Sequence, residues 1–149
     1  MTQQLANTVK ITRVKNAVAA GQTTQQSDAV DMANFEGVVF LTLFGAITAG
    51  AATSVKVQQS ATAGLGGTET DLEGTSVTVA DDDDNQIVVH DIFRPTKRYV
   101  NAAVLRATQD SVIDGIIAIQ YGARVIPTTN DATTVVSRET HVSPAEGTA

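Results

Sequence analysis

Valine, isoleucine and threonine supply about a third of this chain's 149 residues, and that fraction excludes most helical architectures. Side chains branched at Cβ lose rotamer freedom in a helix and pack well on a pleated sheet. Leucine, lysine and glutamate, the strong helix formers, are scarce. The expected fold is all-β, and the length suits one domain able to bury an ordinary core.

Apolar periodicity places the strands. Val9-Lys10-Ile11-Thr12 alternates and opens the set. Gly37 to Ile47 is apolar almost throughout, which predicts a central strand with both faces buried. After the turn Thr48-Ala49-Gly50-Ala51, residues 53–59 alternate with one wet face, and the two strands read as a hairpin. Residues 75–79 alternate, Asp81-Asp82-Asp83-Asp84-Asn85 turns the chain, and residues 87–92 read as the returning partner. Tyr99 to Thr108 alternates with Val100, Ala102 and Val104 on one face. A last long strand runs from Ile113 to Val125. Val112, Ile116 and Ile119 could share a helix face, but Gly115, Gly122 and the isoleucine density favour a strand. Gly64-Leu65-Gly66-Gly67 reads as a loop, and residues 17–34 as a long loop with a short helical turn. About eight strands with turns every ten residues or so predict a single-domain β-sandwich or jelly roll. Residues 8–127 form that domain. Residues 1–7 and 128–149 are polar and aperiodic and read either as frayed tails or as terminal arms, the arms having Leu5, Val135, Val136 and Val142 to bury on a neighbour and Arg138 and His141 beside them.

The search for chemistry returns little. There is no cysteine, and the two histidines, His90 and His141, lack the spacing of a metal pair on one element. In residues 81–85 Asp81, Asp83 and Asn85 alternate as calcium ligands do, but Gln86 stands where the loop glycine belongs and Ile92 where the bidentate glutamate belongs. A solvated turn is the expectation. No phosphate loop, dinucleotide fingerprint or nucleophile elbow is present, so no catalytic residue, cofactor or metal is assigned and no enzyme is expected. A net charge of -6 disfavours direct nucleic-acid binding. The absence of tryptophan weakens sugar stacking. The longest apolar run, Val38 to Leu41 and on past Thr42 to Phe44, falls far short of the ~20 residues of a membrane helix. The beginning, Met1-Thr2-Gln3-Gln4-Leu5, lacks the basic head and apolar stretch of a signal peptide, so a soluble protein made in the cytoplasm is expected. Arg94, Lys97 and Arg98 form the one basic cluster, readable as a guard on a sheet edge or as a contact for an acidic partner surface.

Residues 53–60, 78–85, 91–100 and 112–122, the last reading Val-Ile-Asp-Gly-Ile-Ile-Ala-Ile-Gln-Tyr-Gly, together resemble small proteins of phage and prophage head-gene clusters. The resemblance implies a jelly-roll cement or decoration protein on the outer surface of a tailed-bacteriophage capsid. It would bind the major capsid protein and itself, as a homodimer before a trimer. Low charge, at 17% of residues, fits a body that buries much of its exterior. The alternative is a phage-surface module that recognises a host glycan or receptor.

Overall fold

In a computed structural model, which describes residues 4–148, the chain is a two-sheet β-sandwich preceded by one helical turn, α1 (Leu5–Thr8). The strands are β1 (Lys10–Lys15), β2 (Val18–Gly21), β3 (Gln25–Gln26), β4 (Val30–Asp31), β5 (Gly37–Ile47), β6 (Ala52–Ser60), β7 (Thr70–Asp71), β8 (Val77–Val79), β9 (Ile87–Phe93), β10 (Tyr99–Ala107) and β11 (Ser111–Tyr121). One sheet has the order β1-β11-β5-β9, with β2 beside β1 on the same edge of β11. The other has the order β3-β10-β6-β7, with β4 also on β10 and β8 also on β6. The short strands share places in pairs, so eleven strands fill about eight positions. The positions interleave as two Greek keys, the jelly-roll arrangement.

The interleaving corrects both expected hairpins. β5 pairs with β11 and β9, whereas β6 pairs with β10, so the turn after Ile47 arches from one sheet to the other. Likewise β8 lies on β6 and β9 on β5. Four residues span the ~10 Å between packed sheets as readily as they close a hairpin. Residues 17–34 are also corrected. They hold three short strands, β2 to β4, that edge both sheets, and no helical turn.

The core lies between the sheets. Val38, Phe40 and Phe44 of β5 and Ile113, Ile116 and Ala118 of β11 face Val55 and Val57 of β6 and Val100, Ala102 and Val104 of β10. The other face of β10 is covered as well, because Asn101 and Ala103 are buried beneath polar side chains of the neighbouring strands. There Gln58 donates to Asp71 at 2.7 Å and Lys56 pairs with Asp71 at 2.7 Å. At one end of the sandwich the buried Arg106 guanidinium donates to three backbone carbonyls, of Thr23, Ala19 and Ser111, at 2.9, 2.9 and 2.6 Å. It ties the β2–β3 connection to the start of β11. Burial holds its pKa below the usual arginine value, with Asp110 opposing.

Candidate interaction surfaces

The acidic turn is bound to the fold more closely than a solvated turn requires. Asp84 accepts from the Ile47 amide at 2.6 Å, Asp81 from the Gly50 amide at 2.6 Å, and Asp83 from Ala80 at 2.9 Å. Asp84 and Asp81 thus satisfy amides at the arch from β5 to β6, Asp83 caps the acidic turn itself, and Gly50 takes the positive φ of 84° that the arch needs. Asp82 makes no such bond among the described residues.

The basic cluster lies at the opposite end, on the β9–β10 connection. Arg98 holds Asp31 through two bonds of 2.8 Å, and this forked pairing draws the Asp31 carboxyl below its usual range and raises Arg98. Lys97 donates to Thr70 at 3.3 Å. Arg94 stacks over the Phe93 ring at 4.9 Å and stands 3.7 Å from Glu36. These side chains line a shallow cavity of about 570 Å³ together with Met32, Phe35 and Arg124. Arg124 was not singled out from sequence, since it stands alone there; the Arg124 amide bond to Asn34 brings it into the group.

The terminal residues gather at the same end. Thr128 donates its amide to Asn7 at 2.9 Å and its hydroxyl to Val9. Arg138 donates to the carbonyls of Ala6 and Thr128, and Asn130 accepts from the Ile11 amide. The segment after Pro127 therefore runs back along α1 and β1. Val135 borders a cavity with Ile11, Leu43 and Ile117, whereas Leu5, Val136 and Val142 are exposed. His141 pairs with Glu139 at 3.1 Å. Of the expected amino-terminal arm, Met1, Thr2 and Gln3 lie outside the described residues. His90, by contrast, is buried, with its ring bonded to the Thr75 carbonyl at 2.7 Å between the two sheets.

A larger surface was legible only indirectly. The register sets Ile11, Ile119, Val39 and Asp91 in one row across the outer face of the β1-β11-β5-β9 sheet, with Arg13, Ile117, Leu41 and Val89 in the next. Leu43 and Ile87 follow on one side, and Tyr121, Gly37 and Phe93 on the other. An antiparallel sandwich sheet usually turns polar side chains outward. Here the outward set is mostly apolar, half-buried at the centre, and most open on β9, where Ile87, Val89 and Phe93 are 53%, 60% and 57% exposed. Tyr121 lies across Gly37, and its hydroxyl donates to Asp91 at 2.6 Å. Burial of the ring and this bond, with the charges of Asp91 and Glu36, push the phenol up to about 12.

No protein-family model and no curated protein matches the sequence. Solved structures with a similar strand arrangement include a pilus protein of Bacillus endospore appendages, 14% identical, at a TM-score of 0.48, covering 77% of this chain and 88% of the other. Another is VP2 of infectious bursal disease virus in its subviral particle, 11% identical, at a TM-score of 0.46, covering 76% of this chain and 32% of VP2. A third is a structure of the Gx strain of that virus, 11% identical, at a TM-score of 0.40, covering 82% and 32%. The chain thus spans about a third of each viral protein it resembles.

Proposed function

We propose that the protein is a non-catalytic structural subunit that docks on a larger shell and reinforces it, acting as a cement protein on the outer surface of a phage head. The observation that carries this reading is the outward face of the β1-β11-β5-β9 sheet. Water would hydrate a polar face at no cost, whereas Val39, Leu41, Ile117 and Ile119 gain free energy only when something covers them. A packed shell holding self-repelling DNA is strained at the seams between its capsomers. A rigid sandwich that buries apolar area across two of them adds binding free energy that must be lost before the seam opens. The basic end, with Arg94 and Arg124 beside the cavity, suits an acidic patch on the major capsid protein.

The test is co-sedimentation of the purified protein with undecorated heads. The wild type is expected to bind, and Val39→Lys, which sets an ammonium on the outward face opposite Asp91, is expected to lose binding while melting as the wild type does. Absence of wild-type binding, or equal binding by the variant, would overturn the proposal.

A further inference from the structure

Strand β9 combines three properties. It is the outermost strand of its sheet on that side, three of its four open side chains are apolar with Asp91 the fourth, and the two ends of the strand carry opposite charge. The Phe44 amide donates to Gln86 and the Arg94 amide to Glu36, which fixes the phase of the β5–β9 ladder. By the alternation of antiparallel pairing, Gln86, Val88, His90, Ile92 and Arg94 direct their backbone groups toward β5. Ile87, Val89, Asp91 and Phe93 direct theirs outward, where no described strand meets them. Natural sandwiches usually guard such an edge with charged side chains, lysine above all, with proline or with a bulge; β9 has no lysine, proline or bulge within its seven residues, and its one open charge is Asp91.

We infer that β9 is the seam of a symmetric dimer, paired antiparallel with β9 of a second copy. The inference rests on the reading of this protein as an assembly subunit. A two-fold axis at His90 sets Ile87 opposite the partner's Phe93 and Val89 opposite the partner's Asp91. All four residues belong to the outward-facing set, so each opposed pair can exchange two backbone bonds. The same axis lays the basic connection of one copy, Arg94 to Arg98, beside the acidic turn of the other, residues 81–84, and does so twice. A parallel pairing would set like charge against like. The three open apolar side chains offer on the order of 300 Å² of surface per copy. Doubled, this is about 600 Å², half of the ~1,200 Å² at which specific interfaces begin, so the seam also needs the paired backbone and the charged ends and is expected to be a weak one.

Sedimentation equilibrium of the full chain tests the seam. The wild type is expected to dimerise reversibly in the micromolar range. Val89→Glu, which faces the partner's Asp91, should raise the dissociation constant about tenfold or more. Val89→Lys, which faces the same carboxylate, should raise it far less. Asp82→Lys and Lys97→Glu should each weaken the dimer, and the double variant should recover it. A wild type that stays monomeric overturns the inference, as does equal weakening by Val89→Glu and Val89→Lys, which would point to apolar burial against some other surface. Head binding is scored separately. A Val89→Glu-sensitive dimer that ignores heads keeps the seam and rejects the cement role, and a monomer that binds heads does the reverse.

Discussion

Replacing Gly37 by alanine should destabilise the sandwich through a single side chain, Tyr121. A Cβ at Gly37 would stand 2.2 Å from Tyr121 Cζ and 2.4 Å from its hydroxyl oxygen. Carbon atoms in contact sit about 3.5–4.0 Å apart, so the ring must retreat by well over an ångström. The backbone cannot yield, because Tyr121 is opposite Gly37 in the β11–β5 ladder and its carbonyl accepts from Glu36 at 3.0 Å. The ring must therefore rotate away, which breaks the 2.6 Å bond to Asp91. A bond to a charged group contributes about 1.5–3 kcal/mol, and the exposure of Asp91 argues for the low end. Loss of the cross-strand ring contact adds about 0.5–1 kcal/mol. Alanine in a strand regains about 0.5–1 kcal/mol over glycine. The net expectation is a loss of about 1–2 kcal/mol. Urea denaturation of the wild type, Gly37→Ala, Tyr121→Ala and the double variant measures it. With Tyr121 already removed, Gly37→Ala should be neutral or slightly stabilising. An equal cost in both backgrounds would refute the reasoning.

Other expectations follow from the same contacts. Because the Tyr121 phenol is pushed up to about 12 from its ordinary 10.0, the neutral form is favoured in the folded state, and its contribution is complete below pH 10 and lost as the pH rises through 12; Tyr121→Phe should flatten that alkaline decline in a melting series. Arg106→Met strands the carbonyls of Ala19, Thr23 and Ser111 and should cost about 2–4 kcal/mol in chemical denaturation, with no gain from the lost charge matching it. Asp84→Ala should cost about 1 kcal/mol, the Ile47 amide losing its acceptor while repulsion among the carboxylates eases, whereas Asp82→Ala should be neutral or mildly stabilising.

The β class and the long strands were legible because branched residues and period-two alternation are local properties. The strand expected over Ile113 to Val125 is found over Ser111 to Tyr121, ending where Gly122 takes a positive φ, and it prevailed over a helix for the reasons its glycines suggest: Gly115 sits at an irregularity in pairing, at a φ of 151° that other residues avoid. The connections were not legible, since a four-residue turn looks the same whether it closes a hairpin or arches between sheets. β3 and β4 were hidden because each has two residues, too few to show a period. The apolar outer face left a trace in the sequence, the unbroken apolarity of Gly37 to Ile47, but read alone it signified only a deeply buried strand. Its half-open state depends on β9 and on what lies beyond, which no local pattern encodes. The role of Asp81 and Asp84 was similarly invisible, because the amides they bind belong to residues more than thirty places earlier.

The interleaving of the two sheets bears on how the molecule comes into being. Apart from the short link from β6 to β7, successive positions alternate between layers, so neither layer can be completed while the other is still missing. β1 must wait for β11, which leaves the ribosome last of the described strands. Such distant pairings slow the search for the native arrangement to milliseconds or longer, and during synthesis the nascent layers stay incomplete until nearly the whole chain has emerged. Folding should then proceed in one concerted step, with no half-built sandwich stable enough to accumulate.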